Sequence, residues 1–181
     1  MILGLVSVEN IKQAAENLKG VAQRTPLQKN LALSDKYQCD IYLKREDLQP
    51  VRSYKIRGAY NKIKSLSKDA LAKGVICASA GNHAQGFAYA CNLLGIRGTV
   101  YMPSTTPKQK VEKVKFFGKN NVSVVLNGDT FDDSFKSSMK ACEEEGMTFV
   151  HPFDDHRVME GQGTVGLEIL EDEKDIDFLL L

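Results

Sequence analysis

Two short segments hold the residue types best suited to chemistry. The first is Ser53-Tyr54-Lys55-Ile56-Arg57-Gly58-Ala59. A lysine amine condenses with an aldehyde to give a Schiff base, and it can later act as a base. To do either it must lose its proton part of the time, which partial burial or a nearby cation promotes. Arg57 is the expected cation. Taken alone, a lysine at a helix start is far more often an exposed surface side chain. The second segment is Ser79-Ala80-Gly81-Asn82-His83-Ala84-Gln85-Gly86. It joins an apolar run to a helical pattern, so its backbone N–H groups sit at a helix N-terminus and can bind an anion such as a carboxylate. Gly81 lets the backbone approach a ligand closely, and the Asn82 amide can donate to a phenolic oxygen. The plain structural alternative is a turn between strand and helix, with Asn82 as the cap.

The elements that must position these segments follow from periodicity. Helices are predicted over Ser7 to Leu18, Leu31 to Tyr37 and Arg57 to Leu66, with a strand over Asp40 to Lys44. From Val75 the pattern alternates regularly. Strands are predicted at Val75 to Ala78, Thr99 to Met102, Val122 to Leu126 and Thr148 to Val150. Helices are predicted at Asn82 to Leu94, Pro107 to Phe117, Thr130 to Glu145 and Asp155 to Leu170. A further strand is expected from Asp177. Strands and helices alternating over short links imply an α/β parallel sheet with right-handed crossovers. Ligands bind such sheets beyond the carboxyl ends of the strands, and the loop after Ala78 lies at one of these ends.

Composition narrows the function classes. With 181 residues, 43% hydrophobic and 26% charged, and a net charge of +1, nothing points to nucleic acid or an anionic membrane. Cys39, Cys77, Cys91 and Cys142 show no metal-site spacing. Reduced cysteines suit a cytoplasmic protein. The apolar start, Met1 to Val6, is short, lacks a basic flank and makes a poor signal peptide. Gly161-Gln162-Gly163-Thr164-Val165-Gly166 fits the dinucleotide pattern, but no buried strand precedes it, and a helix-start role for Gly163 and Thr164 is the alternative. His83, His151 and His156 lack metal spacing, so no metal site is expected. Asp132-Asp133 and Glu143-Glu144-Glu145 read as solvated helix faces, and Asp154-Asp155 as cap chemistry.

The two segments in this order resemble the fold-type II pyridoxal-phosphate enzymes, the tryptophan synthase beta-like group, and specifically the threonine dehydratases. Thr25-Pro26-Leu27, Lys44-Arg45-Glu46-Asp47-Leu48-Gln49-Pro50, Met102-Pro103, Lys115-Phe116-Phe117-Gly118 and Gly128-Asp129-Thr130-Phe131-Asp132 match that family too. The resemblance runs from about Ser7 to the last residue. It implies a parallel sheet with helices on both faces. It also implies a division into 1–55, the start of a large cofactor domain; 56–150, a small α/β domain; and 151–181, an incomplete return to the large domain. By resemblance Lys55 holds pyridoxal 5'-phosphate as a Schiff base, and the aromatic residue before it, here Tyr54 where Phe is usual, packs on the cofactor ring. Asn82 would bond the ring hydroxyl. Ser79, Ala80, Gly81, Asn82 and His83 would grip the substrate carboxylate.

The implied reaction is β-elimination from L-threonine, and more slowly from L-serine, giving 2-oxobutanoate or pyruvate and ammonia, as in isoleucine biosynthesis. A homo-oligomer with an amino-acid substrate, and no nucleic-acid or membrane partner, is the family expectation. The related racemases carry a second serine as proton carrier where this chain has Ala80, which favours a dehydratase. The family's glycine-rich phosphate loop follows the strand that Asp177 is expected to open, and a later polar residue meets the pyridine nitrogen. Neither is in this sequence. Little activity and weak cofactor binding are therefore expected of residues 1–181 alone, and a non-catalytic partner subunit is the rival reading.

Overall fold

The computed structural model describes residues 6–180. The apolar start up to Leu5 and the final Leu181 lie outside them. Helix α1 (Val8–Asn17) begins where Ser7 Oγ accepts a hydrogen bond from the Asn10 N–H. Strands β1 (Leu27–Lys29) and β2 (Tyr42–Lys44) form a small antiparallel pair, with α2 (Leu31–Tyr37) between them. Helix α3 (Lys55–Lys64) starts at Lys55, two residues before the predicted start. A short helix, α4 (Lys68–Lys73), follows behind a Ser67 cap. Neither β1 nor α4 was expected from the sequence, because three to six residues are too few to display a period.

The remaining elements are β3 (Val75–Ala78), α5 (Asn82–Leu94), β4 (Gly98–Met102), α6 (Lys108–Gly118), β5 (Val122–Leu126), α7 (Phe131–Glu145), β6 (Thr148–Phe149) and α8 (His156–Asp172). Gly95 and Gly146 end α5 and α7 in the left-handed conformation that glycine permits. Asp133 is not merely part of a solvated face. It closes a capping box with Thr130, each side chain accepting the other's backbone N–H. No strand forms at 177–180, and the Phe178 and Leu180 side chains are exposed. A strand needs a neighbour to pair its backbone, and no described strand runs beside this segment.

The main sheet is parallel throughout, in the order β5-β4-β3-β6. β3 is buried on both faces, as a central parallel strand should be. From β3 the chain moves outward through β4 to β5, then returns past both to place β6 on the other side of β3. Right-handed crossovers therefore put α5 and α6 on one face and α7 on the other. The reversal also creates a switch point between β3 and β6, where the loops leaving the two strands diverge and open a crevice.

Candidate active site

Both segments singled out by residue type meet at this switch point. The loop Ser79–Gly81 leaves the end of β3, and Gly81 takes the cap position of α5. No side chain caps this helix. The capping alternative for Asn82 therefore does not hold: Asn82 is the first helical residue, exposed, and its amide makes no hydrogen bond among the described residues. The N–H groups of Asn82, His83 and Ala84 belong to a first turn that has no intrahelical acceptor for them. Gly86, one turn later, lies against the backbone of Lys55 and Ile56. A Cβ there would stand 2.8 Å from the Lys55 carbonyl carbon. Glycine is what lets α5 press onto the start of α3. Since residues four apart share a helix face, Asn82 is on the face turned toward Lys55.

Lys55 is half-buried, and its Nζ donates to the Pro152 carbonyl at 2.8 Å. Burial lowers its pKa below the ordinary value of 10.5. It has no carboxylate partner among the described residues. The other lysines of interest differ: Lys44 pairs with Glu168 at 2.7 Å and Lys62 with Asp155 at 2.6 Å. The Tyr54 ring is exposed, with its centroid 5.2 Å from Lys55 Nζ. That distance is within cation–π range. The Tyr54 hydroxyl has no partner among the described residues, which leaves open the need raised by the sequence.

Arg57 does not supply the depressing charge. It turns to the opposite side of α3 and is buried between two carboxylates. Its Nε and Nη2 donate to Glu46 at 2.9 and 2.7 Å, and its Nη1 and Nη2 donate to Glu168 at 2.6 and 3.1 Å. Thr164 Oγ1 and the Gln23 carbonyl accept from it as well, both at 3.1 Å. Lys55 is therefore depressed by desolvation alone. The Lys44–Pro50 segment serves this network: Glu46 also accepts from Thr25 Oγ1 at 2.6 Å, and Gln49 reaches back to the Gln23 carbonyl at 2.7 Å.

His83 points inward rather than toward a ligand. Its Nε2 meets the Val150 carbonyl at 3.0 Å, and burial pushes its pKa down to about 4. Its backbone N–H lies in the first turn of α5, which has no intrahelical acceptor for it. Sequence reasoning read Asp154-Asp155 as cap chemistry, which Asp155 bears out, but it missed that the segment Val150–Asp155, leaving the end of β6, meets both motifs. This segment receives Lys55 through Pro152 and His83 through Val150, and Asp155 caps α8. The signal was available, since an apolar strand followed by His-Pro marks a turn. Ser53 Oγ and His83 Nδ1 are buried without a partner among the described residues. Unpaired groups of this kind are uncommon in folded chains. His83 lies near enough to the Lys55 amine to feel its charge, and a half-buried amine beside an exposed aromatic ring and an uncapped helix end suits an aldehyde with a flat ring.

Gly161–Gly166 is not a phosphate loop, nor a helix start. It lies in the middle of α8. A Cβ on Gly161 would stand 2.5 Å from the Arg57 carbonyl oxygen, and one on Gly163 would stand 2.9 Å from Ile11 Cδ1. These glycines let α8 pack closely on α3 and α1. Among the described residues no cluster of potential metal ligands occurs, and no helix is long and apolar enough to cross a membrane.

The family model described as Pyridoxal-phosphate dependent enzyme matches residues 18–181. The biosynthetic L-threonine dehydratase IlvA of Bacillus subtilis is 58% identical over 168 residues, which is 93% of this chain and 40% of that protein. The processed form of threonine deaminase isoform 2 from Solanum lycopersicum superposes with a TM-score of 0.85 at 42% identity, covering 94% of this chain and 47% of that one. The maize serine racemase gives a TM-score of 0.89 at 31% identity, covering 95% and 51%. Shape and sequence thus rank the deaminase and the racemase in opposite orders. The backbone is common to both chemistries, so the discrimination must come from side chains.

Proposed function

Because this chain belongs to the pyridoxal-phosphate dependent enzyme family, we propose that Lys55 is the amine that holds the cofactor and moves the substrate α-proton, in a protein that deaminates L-threonine. The observation that carries this reading is the state of Lys55: half-buried, lowered in pKa by desolvation, and held, among the described residues, only by a neutral carbonyl at the sheet's switch point. An amine in that state is unprotonated more of the time at neutral pH, and so more available as nucleophile and base. Bound there, the cofactor would act as an electron sink for the substrate carbon that loses its proton.

The other residues bind and orient. The Asn82 amide is free to donate to the ring hydroxyl. The N–H groups of the Ser79–His83 turn, at the positive end of α5, suit the substrate carboxylate. The Tyr54 ring offers a flat surface beside the amine. Loss of the α-proton and the β-hydroxyl, followed by hydrolysis, converts threonine to 2-oxobutanoate and ammonia. Ala80 argues against racemisation, because its methyl group has no proton to return to the opposite face. The high identity to dehydratases supports the same choice.

The chain spans about 40% of the length of the curated relatives it matches, so activity, oligomeric state and cytoplasmic location are all proposals about the protein that carries this sequence. The division into 1–55, 56–150 and 151–181 is part of the proposal. It is supported by the four-stranded sheet lying between Val75 and Phe149. Borohydride reduction of that protein with pyridoxal phosphate should place the adduct on Lys55, and L-threonine should yield 2-oxobutanoate. An adduct on Lys44 or Lys62, or D-serine as the main product from L-serine, would sink the reading.

A further inference from the structure

The Lys55 amine is held by a single peptide unit, and that unit is held in turn by a histidine. Lys55 Nζ donates to the Pro152 carbonyl at 2.8 Å. The same peptide plane carries the Phe153 N–H, which donates to His151 Nδ1 at 3.3 Å. The next N–H, of Asp154, donates to the same nitrogen at 2.7 Å. In a trans peptide the C=O and N–H point in opposite directions within one rigid plane. A group that fixes the N–H end therefore aims the carbonyl at the other end. Donation from the N–H also polarises the amide and makes its carbonyl a stronger acceptor.

His151 is itself fixed. Its ring stands edge-on between Phe149, 6.1 Å away, and Phe153, 4.6 Å away. A neutral imidazole that accepts at Nδ1 carries its proton on Nε2. The turn is closed at its far end by Asp155, which caps α8 and pairs with Lys62 at 2.6 Å. The short reach from His151 to Asp154 thus sets where the Lys55 partner lies.

We propose that His151 is a positioning residue, whose Nδ1 organises the Pro152–Phe153 peptide that orients the Lys55 amine. This rests on the reading of Lys55 as the catalytic amine. The chemistry required of His151 is one acceptor atom at the δ position. An asparagine Oδ1 sits at the same distance from the backbone and accepts N–H groups two and three residues on. A glutamine places its acceptor one bond too far.

The test uses the protein that carries this sequence, with pyridoxal phosphate. It compares His151→Asn, His151→Gln and His151→Ala by the rate of borohydride trapping on Lys55, by kcat and KM for L-threonine, and by thermal unfolding. His151→Ala and His151→Gln should lose about 10²-fold in kcat and trap Lys55 more slowly, as expected for a small misplacement of a reacting group. KM should change little, since the carboxylate clamp lies on a different loop. His151→Asn should restore most of both losses. Imidazole nitrogen NMR of the unsubstituted protein should show the proton on Nε2, a readout that needs no variant to fold. Equal defects in Asn and Ala, rescue by Gln as good as by Asn, or a proton on Nδ1 would overturn the proposal. Trapping of another lysine in the unsubstituted protein would overturn the parent reading first, and is told apart by peptide mapping.

Discussion

Lys55 and Arg57 are two residues apart on one helix and lead opposite lives. Arg57 is buried, gripped by Glu46 and Glu168, and has every donor direction answered. Lys55 is half-buried, with one neutral carbonyl and no carboxylate among the described residues. A guanidinium fork between two carboxylates is a rigid fixture, and it ties α3 to α8 and to the segment before it. An amine held by a carbonyl alone keeps its lone pair within reach. The motif around these residues is thus two devices: one side of α3 anchors the helix, and the other presents a group still able to react. The comparison teaches that satisfied charge marks architecture, while undersatisfied charge beside uncommitted groups marks the site.

The sharpest way to break the contrast is on its reactive side. Lys55→Ala should lower L-threonine turnover by roughly 10³-fold or more, as loss of a combined nucleophile and proton carrier demands. Melting temperature should stay close to that of the parent, because no ion pair is lost. A coincident collapse of stability would show Lys55 to be architectural after all. The mirror experiment is Arg57→Met. It leaves Glu46 without its cation, and Glu168 with Lys44 alone, at a cost of about 3–5 kcal/mol in denaturant unfolding. Arg57→Lys should recover only part of this, since an ammonium cannot serve two carboxylates bidentately.

Gly86→Ala tests the contact that joins the site to its scaffold. The new Cβ meets Lys55 backbone atoms at 2.8 to 3.0 Å, for which overpacking costs of about 1–3 kcal/mol are typical. Turnover should fall further than stability, because α5 would move off the amine. The effect confined to the narrowest conditions, acidic pH alone, concerns His83. Its folded pKa near 4 lies below the ordinary 6.5, so as pH falls the unfolded chain takes up this proton first. Its share of stability is complete above about 6.5 and is lost between there and about 4, at on the order of 1 kcal/mol per pH unit. Stability profiles over this window should be flatter for His83→Gln, with the alkaline limb unchanged.

Much of this was legible in residue order. The strands Val75–Ala78 and Val122–Leu126 and the helices Leu31–Tyr37 and Asn82–Leu94 were predicted at the bounds observed; the strands stand out as apolar runs, and Asn82–Leu94 as an apolar stripe stopped by Gly95. The resemblance to threonine dehydratases was carried by motifs whose order is rarely matched by chance, and the family match supports it. Less legible were short elements and reversals of role. Arg57 was expected beside the Lys55 amine, yet a helix turns residues two apart to nearly opposite sides. Gly161-Gln162-Gly163 was set aside as a nucleotide loop, correctly. Its true use in helix packing depends on Arg57 and Ile11, which are remote in sequence.

Local periodicity was enough for the fold class, and the resemblance carried by contiguous motifs was enough to name the family, the candidate lysine and the candidate loop. What awaited the folded chain was which charges cancel and which stay free. Glu46 and Glu168 stand 11 and 111 residues from Arg57, and Pro152 stands 97 residues from Lys55. No local pattern encodes such pairings. They arise when the sheet reverses direction after β5 and brings β6 beside β3. That step sets the turn after β6 against the start of α3, and it leaves one lysine desolvated without a counter-charge among the described residues.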